Sequence, residues 1–310
     1  MNELKICITF DTDADPTNLN HKNSISFENL DYCLEKIQYK LNDIENSIGE
    51  FLPITWFVRS DNQIKHEYGN YDWILKKYSK FWDKVLRKNN EIEWHSHIYE
   101  QIDNRWSFPI KNDFFYTNLE LIFNFLCKYH SKPKCIRLGE AYMNNDIMNF
   151  IKDLGLLADS SAIPGRIRKD SEKIFDWSKT KNHPYFPSRI DYQKEDLSEK
   201  GFLEIPMTTI NTKCSYDKNS ILRYVNLGFN SEVLFNGIEE LVKNNEYLVT
   251  ITHPYELFET YRSNQGLISY NINSLEENIK NIIKICKKNN KNCKFIAISN
   301  LISDFQNVKT

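Results

Sequence analysis

In Leu4-Lys5-Ile6-Cys7-Ile8-Thr9-Phe10-Asp11-Thr12-Asp13, residues 4–11 read as a strand that ends in a pair of carboxylates. Side chains alternate across a strand, so Leu4, Ile6, Ile8 and Phe10 share one face and Cys7, Thr9 and Asp11 the other. The large apolar face suits packing beneath helices, and the small, polar face suits the lumen of a barrel. Onward from this segment, strand-like and helix-like stretches alternate, the pattern of a parallel sheet covered by helices. Strands are expected at 54–58, 92–97, 135–138, 156–159, 203–207, 247–253 and 295–299. Helices are expected at 27–48, 72–88, 114–130, 145–154, 232–244 and 275–288. Gly155 and Gly201 read as stop signals, and Ser274 with Glu277 as a capping box. The expected fold class is α/β.

The 310 residues suffice for one α/β domain with its own core, without help from disulfides. A formal charge of −2 gives no sign of a nucleic-acid partner or of an anionic membrane as a partner. The seven cysteines are odd in number and form no Cys-x-x-Cys pair. Cys7, Cys33, Cys127, Cys135 and Cys286 sit in apolar stretches, where free thiols behave as small hydrophobes, so a reducing compartment is expected. Residues 1–10 lack the basic-then-apolar order of a leader, and no apolar run approaches the roughly 18 residues of a membrane span. A soluble cytoplasmic protein without membrane insertion is expected; its oligomeric state is not legible. No repeat or linker divides residues 1–310, so a single domain is expected. An insertion at about 162–198 carries Pro164, Pro184 and Pro187, and its Trp177, Tyr185, Phe186 and Tyr192 argue for order.

Chemistry gathers at the ends of the expected strands, where parallel α/β folds place their sites. Asp11 and Asp13 put two carboxylates together, which calls for a cation or an Arg between them, although this segment also reads as turn chemistry. His95 and His97 fall two apart on a strand, so both imidazoles face one side as a compact pair of metal ligands; two structural histidines are the alternative. His253 ends a strand before Pro254 and can supply a proton, unless it is a hydrogen-bonded core residue. Arg137, facing the lumen, needs a carboxylate, for which Asp11 is a candidate; a surface Arg, or one paired with Glu140, is the alternative.

In order, these segments resemble the NodB-homology or polysaccharide deacetylase family over about residues 4–305. Asp11-Thr12-Asp13 after Thr9-Phe10 resembles its first motif, Thr-Phe-Asp-Asp-Gly-Pro, and Thr55-Trp56-Phe57 the strand that follows. Trp94-His95-Ser96-His97 is similar to the metal motif His-Ser/Thr-x-x-His, and Arg137-Leu138-Gly139 to the third motif with its Arg. Leu203-Glu204-Ile205-Pro206 and Thr252-His253-Pro254 stand where the last two belong. The resemblance implies a distorted (β/α) barrel, one divalent metal, commonly zinc, and hydrolysis of an N- or O-acetyl group on a carbohydrate; removal of an N-acyl group, acetyl or formyl, from a sugar is the expected activity. It implies Asp11 as general base, Asp13, His95 and His97 as metal ligands, Arg137 as the residue that tunes Asp11, and His253 as general acid.

Departures bear on these roles. Thr12 splits the Asp pair, leaving open which carboxylate binds metal. The second His follows the first by two, and Tyr99 holds the usual fourth position. The Pro of the third motif is missing, and Glu140 follows Gly139 as a substrate-binding candidate. Such changes resemble a divergent cytoplasmic branch whose acylated sugar is a nucleotide- or lipid-linked precursor of surface polysaccharide. In the insertion, Trp177 or Tyr185 could stack on a sugar, and Arg166, Arg168 or Arg189 could pair with phosphate or carboxylate, with ordinary packing as the alternative. Two competing functions are a non-catalytic saccharide-binding barrel and an amidohydrolase acting on a non-sugar amide.

Overall fold

The computed structural model describes residues 3–15, 25–103, 105–109, 111–169, 174–213, 218–258 and 271–307. Seven parallel strands curl into a half-barrel: β1 (Glu3–Asp11), β2 (Ile54–Arg59), β3 (Glu91–Ser96), β4 (Cys135–Leu138), β5 (Ala158–Asp159), β6 (Leu203–Glu204) and β7 (Tyr247–Val249). Their order is β6-β5-β4-β3-β2-β1-β7, and an eighth strand, β8 (Asn292–Phe295), also pairs with β1. One edge of β1 faces β7, with Thr250 N–H donating to Cys7 O and Asp11 N–H to Thr252 O. The other edge is shared: Glu3–Ile6 pair with β8, and Ile8–Asp11 pair with β2.

The two faces of β1 divide as its alternation requires. Leu4, Ile6, Ile8 and Phe10 pack outward, and Phe10 stacks on Trp56 at 4.8 Å between ring centroids. This outer core takes in α1 (Leu30–Ile48), whose Leu30, Leu34, Ile37, Leu41 and Ile44 are buried at helical spacing. Each such side chain contributes about 1.5–3 kcal/mol on burial. Gly49, at φ 71°, ends α1 with its N–H on Glu45 O.

The remaining helices are α2 (Asn62–Tyr68), α3 (Trp73–Lys77), α4 (Ser79–Arg87), α5 (Asn112–Tyr129), α6 (Asn145–Asp153), α7 (Ser231–Asn244), α8 (Ile272–Lys288) and α9 (Ile298–Gln306). The stretch expected as one helix from 72 to 88 is α3 and α4, with Tyr78 between them outside helical geometry. The Ser274–Glu277 box does not form, because α8 starts earlier: the Asn271 side chain accepts from Asn273 N–H, and Ser274 is buried in the first turn. Gly155 does follow a helix, at φ 82°, and Gly201, at φ 118°, follows the short turn Leu197–Glu199.

The inner face holds a second core, in which Cys7, Phe57, Cys135, Leu203 and Val249 meet Ile298, Leu301 and Ile302 of α9. The expected strand over 295–299 is corrected here. β8 ends at Phe295, and α9 begins at Ile298 because lumen side chains receive its first amides. Ile298 N–H donates to Thr55 Oγ1 and Ser299 N–H to Glu91 Oε1, both at 3.1 Å. The half-barrel is thereby filled on one side of its lumen by its own C-terminal helix.

Within 162–198, Ile167–Lys169 and Ile174–Asp176 pair as an antiparallel hairpin. A second hairpin, Thr209–Thr212 with Ile221–Tyr224, lies outside the main sheet as well. No helix among the described residues is long and apolar enough to cross a membrane.

Candidate metal centre and active site

The C-terminal ends of β1, β2, β3 and β4 deliver the site. β1 ends at Asp11, and Asp13 N–H then donates to Asp11 O at 2.9 Å, a tight turn instead of continued strand. This turn, and not strand alternation, brings Asp13 back beside Asp11 in one cavity of about 280 Å³. His95 lies within β3, whereas His97 follows its end and is held by its N–H on Asp61 Oδ2 at 3.2 Å.

Three acceptor atoms converge. Asp13 Oδ1 stands 3.3 Å from His95 Nε2 and 3.0 Å from His97 Nε2, and the two imidazole nitrogens are 3.0 Å apart. His95 Nδ1 lies 2.8 Å from Arg137 O, so that nitrogen carries the proton and Nε2 presents a lone pair. His97 Nδ1 is 3.3 Å from Tyr99 Oη, whose hydroxyl donates to Glu140 Oε1, also at 3.3 Å; the same tautomer follows. Asp13 Oδ1 is buried without a hydrogen-bond donor. Lone pairs gathered within 4.8 Å of one another, with an orphaned carboxylate oxygen among them, fit a cation. Burial disfavours the Asp13 charge, but when no cation is bound the imidazoles of His97 and His95, once protonated, outweigh it and hold the carboxyl well below its usual range.

Gly139 is part of this geometry. A Cβ there would lie 2.2 Å from His97 Nδ1, so the bare backbone is what admits the ring. Glu140 and Ala141 follow at φ 61° and 57°, a left-handed turn that costs non-glycine residues energy and recurs at functional sites. The turn sets Glu140 between Tyr99 and Arg168, with which its carboxylate pairs.

Asp11 is fully buried, and Arg137 Nη1 reaches its Oδ1 at 2.6 Å. The same guanidinium donates to Thr9 Oγ1 and to the Ser160 carbonyl and hydroxyl, and lies 4.0 Å over the Phe57 ring. Every face of Arg137 is therefore committed. Opposite, His253 Nε2 is 3.5 Å from Asp13 Oδ2, and Glu256 Oε2 is 3.1 Å from its Nδ1. Burial lowers the affinity of His253 for a proton, yet Glu256 first, then Asp13 and Asp11, push its pKa up to about 9. Tyr255 stacks on the same ring at 5.4 Å.

Asp11, Asp13, His95, His97, Arg137, Glu140 and His253 thus share one cavity, and Arg166 and Arg168 also line it. Trp177, Tyr185 and Arg189 are not brought to it. Trp177 is buried with its Nε1–H on Ala141 O, Tyr185 is buried with its hydroxyl on Tyr192 O, and Arg189 pairs with Asp153 and Glu199. Sequence reasoning overlooked Arg59, which ends β2 3.5 Å from Asp13 and 2.7 Å from Asp61, as well as Asp61 itself. It also overlooked Glu256, whose place three residues after His253 in a Pro-started turn was an available signal.

No family model matches the chain, and no curated protein does. Solved structures do. A Mycobacterium smegmatis protein assigned as a polysaccharide deacetylase has a TM-score of 0.58 at 15% identity, covering 98% of this chain and 91% of its own. A Parabacteroides distasonis protein assigned as a glycoside hydrolase or deacetylase has a TM-score of 0.58 at 10% identity, with 97% and 70% covered. PuuE allantoinase has a TM-score of 0.56 at 12% identity, with 99% and 91% covered. The fold is the NodB-type (β/α) barrel of such deacetylases.

Proposed function

We propose that this chain is a metal-dependent hydrolase that removes an N-acyl group, acetyl or formyl, from a sugar. Its substrate on this reading is a nucleotide- or lipid-linked precursor of surface polysaccharide, handled in the cytoplasm by one domain. The observation that carries the reading is the convergence of Asp13, His95 and His97 lone pairs between a buried Asp11–Arg137 pair and His253. Two imidazoles and a carboxylate are a donor set for zinc with positions left open. When bound there, the divalent cation supplies Lewis acidity to the acyl carbonyl and makes water easier to deprotonate.

The chain's own groups do the rest. Asp11 accepts a proton from the attacking water, and Arg137 fixes the direction in which that carboxylate faces. His253 gives a proton from Nε2 to the departing nitrogen, with Glu256 steadying the ring through Nδ1. Glu140, on the cavity wall beside Tyr99 and Arg168, orients the sugar. A second reading, a non-sugar amide as substrate, draws on the allantoinase likeness, whose named activity is of that kind.

Elemental analysis of the purified chain, followed by acyl release from a panel of N-acylated sugars and from allantoin, tests both. About one zinc per chain is expected, lost in His95→Ala and His97→Ala, with hydrolysis abolished in Asp11→Asn while metal is retained. Failure to bind metal even after reconstitution would reject the assignment. Hydrolysis of allantoin but of no acylated sugar would select the second reading.

A further inference from the structure

We infer that the substrate carries an anionic ester group of the phosphate class beside its acylated sugar, and that Arg166 binds it at the entrance of a groove adjoining the metal cavity. The inference rests on the deacylase reading for the sugar, but the groove stands on its own geometry. It encloses about 460 Å³ and shares Arg166 and Tyr224 with the catalytic cavity of about 280 Å³. Pockets for whole ligands span roughly 300–1,000 Å³, so the catalytic cavity alone is small for one and the groove extends it.

The arginines around the cavity differ in what they are free to do. Arg59 is held by Asp61, Arg137 by Asp11, and Arg168 by Glu140. The exposed Arg166 side chain has no hydrogen-bond or ion-pair partner among the described residues. Its backbone is nevertheless fixed, with its N–H on Ile163 O and its carbonyl accepting from Trp177 N–H at 2.8 Å. A guanidinium anchored at the main chain and unpaired at its head is suited to receive an oxyanion through two parallel N–H donors.

The groove beyond it is built for the remainder of such a molecule. Arg223 adds a second positive charge, and no carboxylate among the described residues lines the groove. Its walls include Ile167 and Ile221, which stand 61% and 47% exposed, together with Leu222. Exposed large aliphatics flanking a cationic groove match an ester whose far side is apolar. Gly165, at φ 81°, lets the two hairpins close on each other, since a Cβ there would lie 3.0 Å from Leu222 Cδ2.

Inorganic phosphate, octyl phosphate and uridine 5′-monophosphate titrated calorimetrically into the purified protein and into Arg166→Gln test this. At least one of the two esters is expected to bind more tightly than inorganic phosphate and to lose about tenfold or more in affinity in Arg166→Gln. Octyl phosphate as the tighter ester supports a hydrocarbon substituent, and the nucleotide a nucleoside one. No ester binding, or ester binding of full strength in Arg166→Gln, would overturn the inference. Acyl release is scored separately: ester binding lost in Arg166→Gln, with no acylated sugar hydrolysed, would keep the groove and remove the deacylase reading.

Discussion

Gly139 lies against the imidazole of His97, so close that a methyl group on its α-carbon would sit 2.2 Å from Nδ1. The obstacle would be a ring already fixed on three sides, by Asp61 at its backbone, Tyr99 at Nδ1 and Asp13 at Nε2. Gly139→Ala should therefore expel His97 from its place while leaving the sheet intact. Changes to the support of a metal ligand typically cost about 10–100-fold in affinity, and a loss of that order is expected in zinc competition against a chromophoric chelator. An unchanged circular dichroism spectrum would show that the barrel survives. Wild-type affinity in this variant would mean that His97 does not bind the metal where it now stands.

Arg137 and Asp11 make the other close relationship, an ion pair at 2.6 Å with both side chains almost wholly buried. Removing one member of such a pair leaves an uncompensated charge in the interior, at about 3–5 kcal/mol. Arg137→Met should lower stability in denaturant unfolding by about that amount. The double variant Arg137→Met/Asp11→Asn should recover part of the loss, because the stranded charge is then gone. A single variant as stable as the wild type would show that Asp11 finds another partner.

The candidate metal centre is legible in the sequence to the extent that strand alternation governs it. Cys7, Thr9 and Asp11 do face the lumen, and His95 does project from β3 into the site. Asp13 and His97 reach the same place by other means, a turn after β1 and a hydrogen bond from the His97 backbone N–H to the Asp61 carboxylate, which no periodicity encodes. The aromatic insertion misled for a related reason. Trp177 and Tyr185 each carry a polar tip that finds a backbone carbonyl, so both are buried as packing residues, and composition alone cannot tell that from an exposed stacking platform. Phe295 to Ile298 reads as a strand because it is a short apolar run; the 298, 301, 302, 305 periodicity of α9 becomes decisive only once Thr55 and Glu91 offer acceptors to its first turn.

Deep in the sheet, Glu204 of β6 lies beside Asp159 of β5, and both are fully buried. Asp159 accepts from the Ser161 amide and hydroxyl, at 2.9 and 2.7 Å, which suits it to carry the charge. Burial first, and the neighbouring Asp159 second, raise the Glu204 pKa well above the carboxylate range. The folded chain therefore holds a proton that the unfolded chain releases above about pH 4.3. Stability from this group is fully present below that point and falls as pH rises towards the folded pKa, by at most about 1.4 kcal/mol per unit. Glu204→Gln keeps a donor towards Asp159 without the titration. Its stability relative to wild type should rise between about pH 5 and pH 8 in urea unfolding, and a difference independent of pH would place the proton elsewhere.

Tyr99 occupies the position two beyond His97, and its hydroxyl links Nδ1 of that ring to Glu140. The link has a direction. Burial, reinforced by the Glu140 carboxylate, pushes the Tyr99 phenol well above its ordinary pKa, so it stays protonated and donates to Glu140. Its oxygen is then free to accept from Nδ1–H, which keeps the lone pair on Nε2. Tyr99→Phe removes that acceptor without removing the ring that packs on His97 at 5.6 Å. Metal affinity should fall about tenfold or more, measured by the same chelator competition. Glu140→Gln retains an amide oxygen to accept from Tyr99 and should cost less than Tyr99→Phe. If Glu140→Gln instead costs as much, the carboxylate charge, and not the hydrogen-bond chain, is what holds His97 in its ligating tautomer.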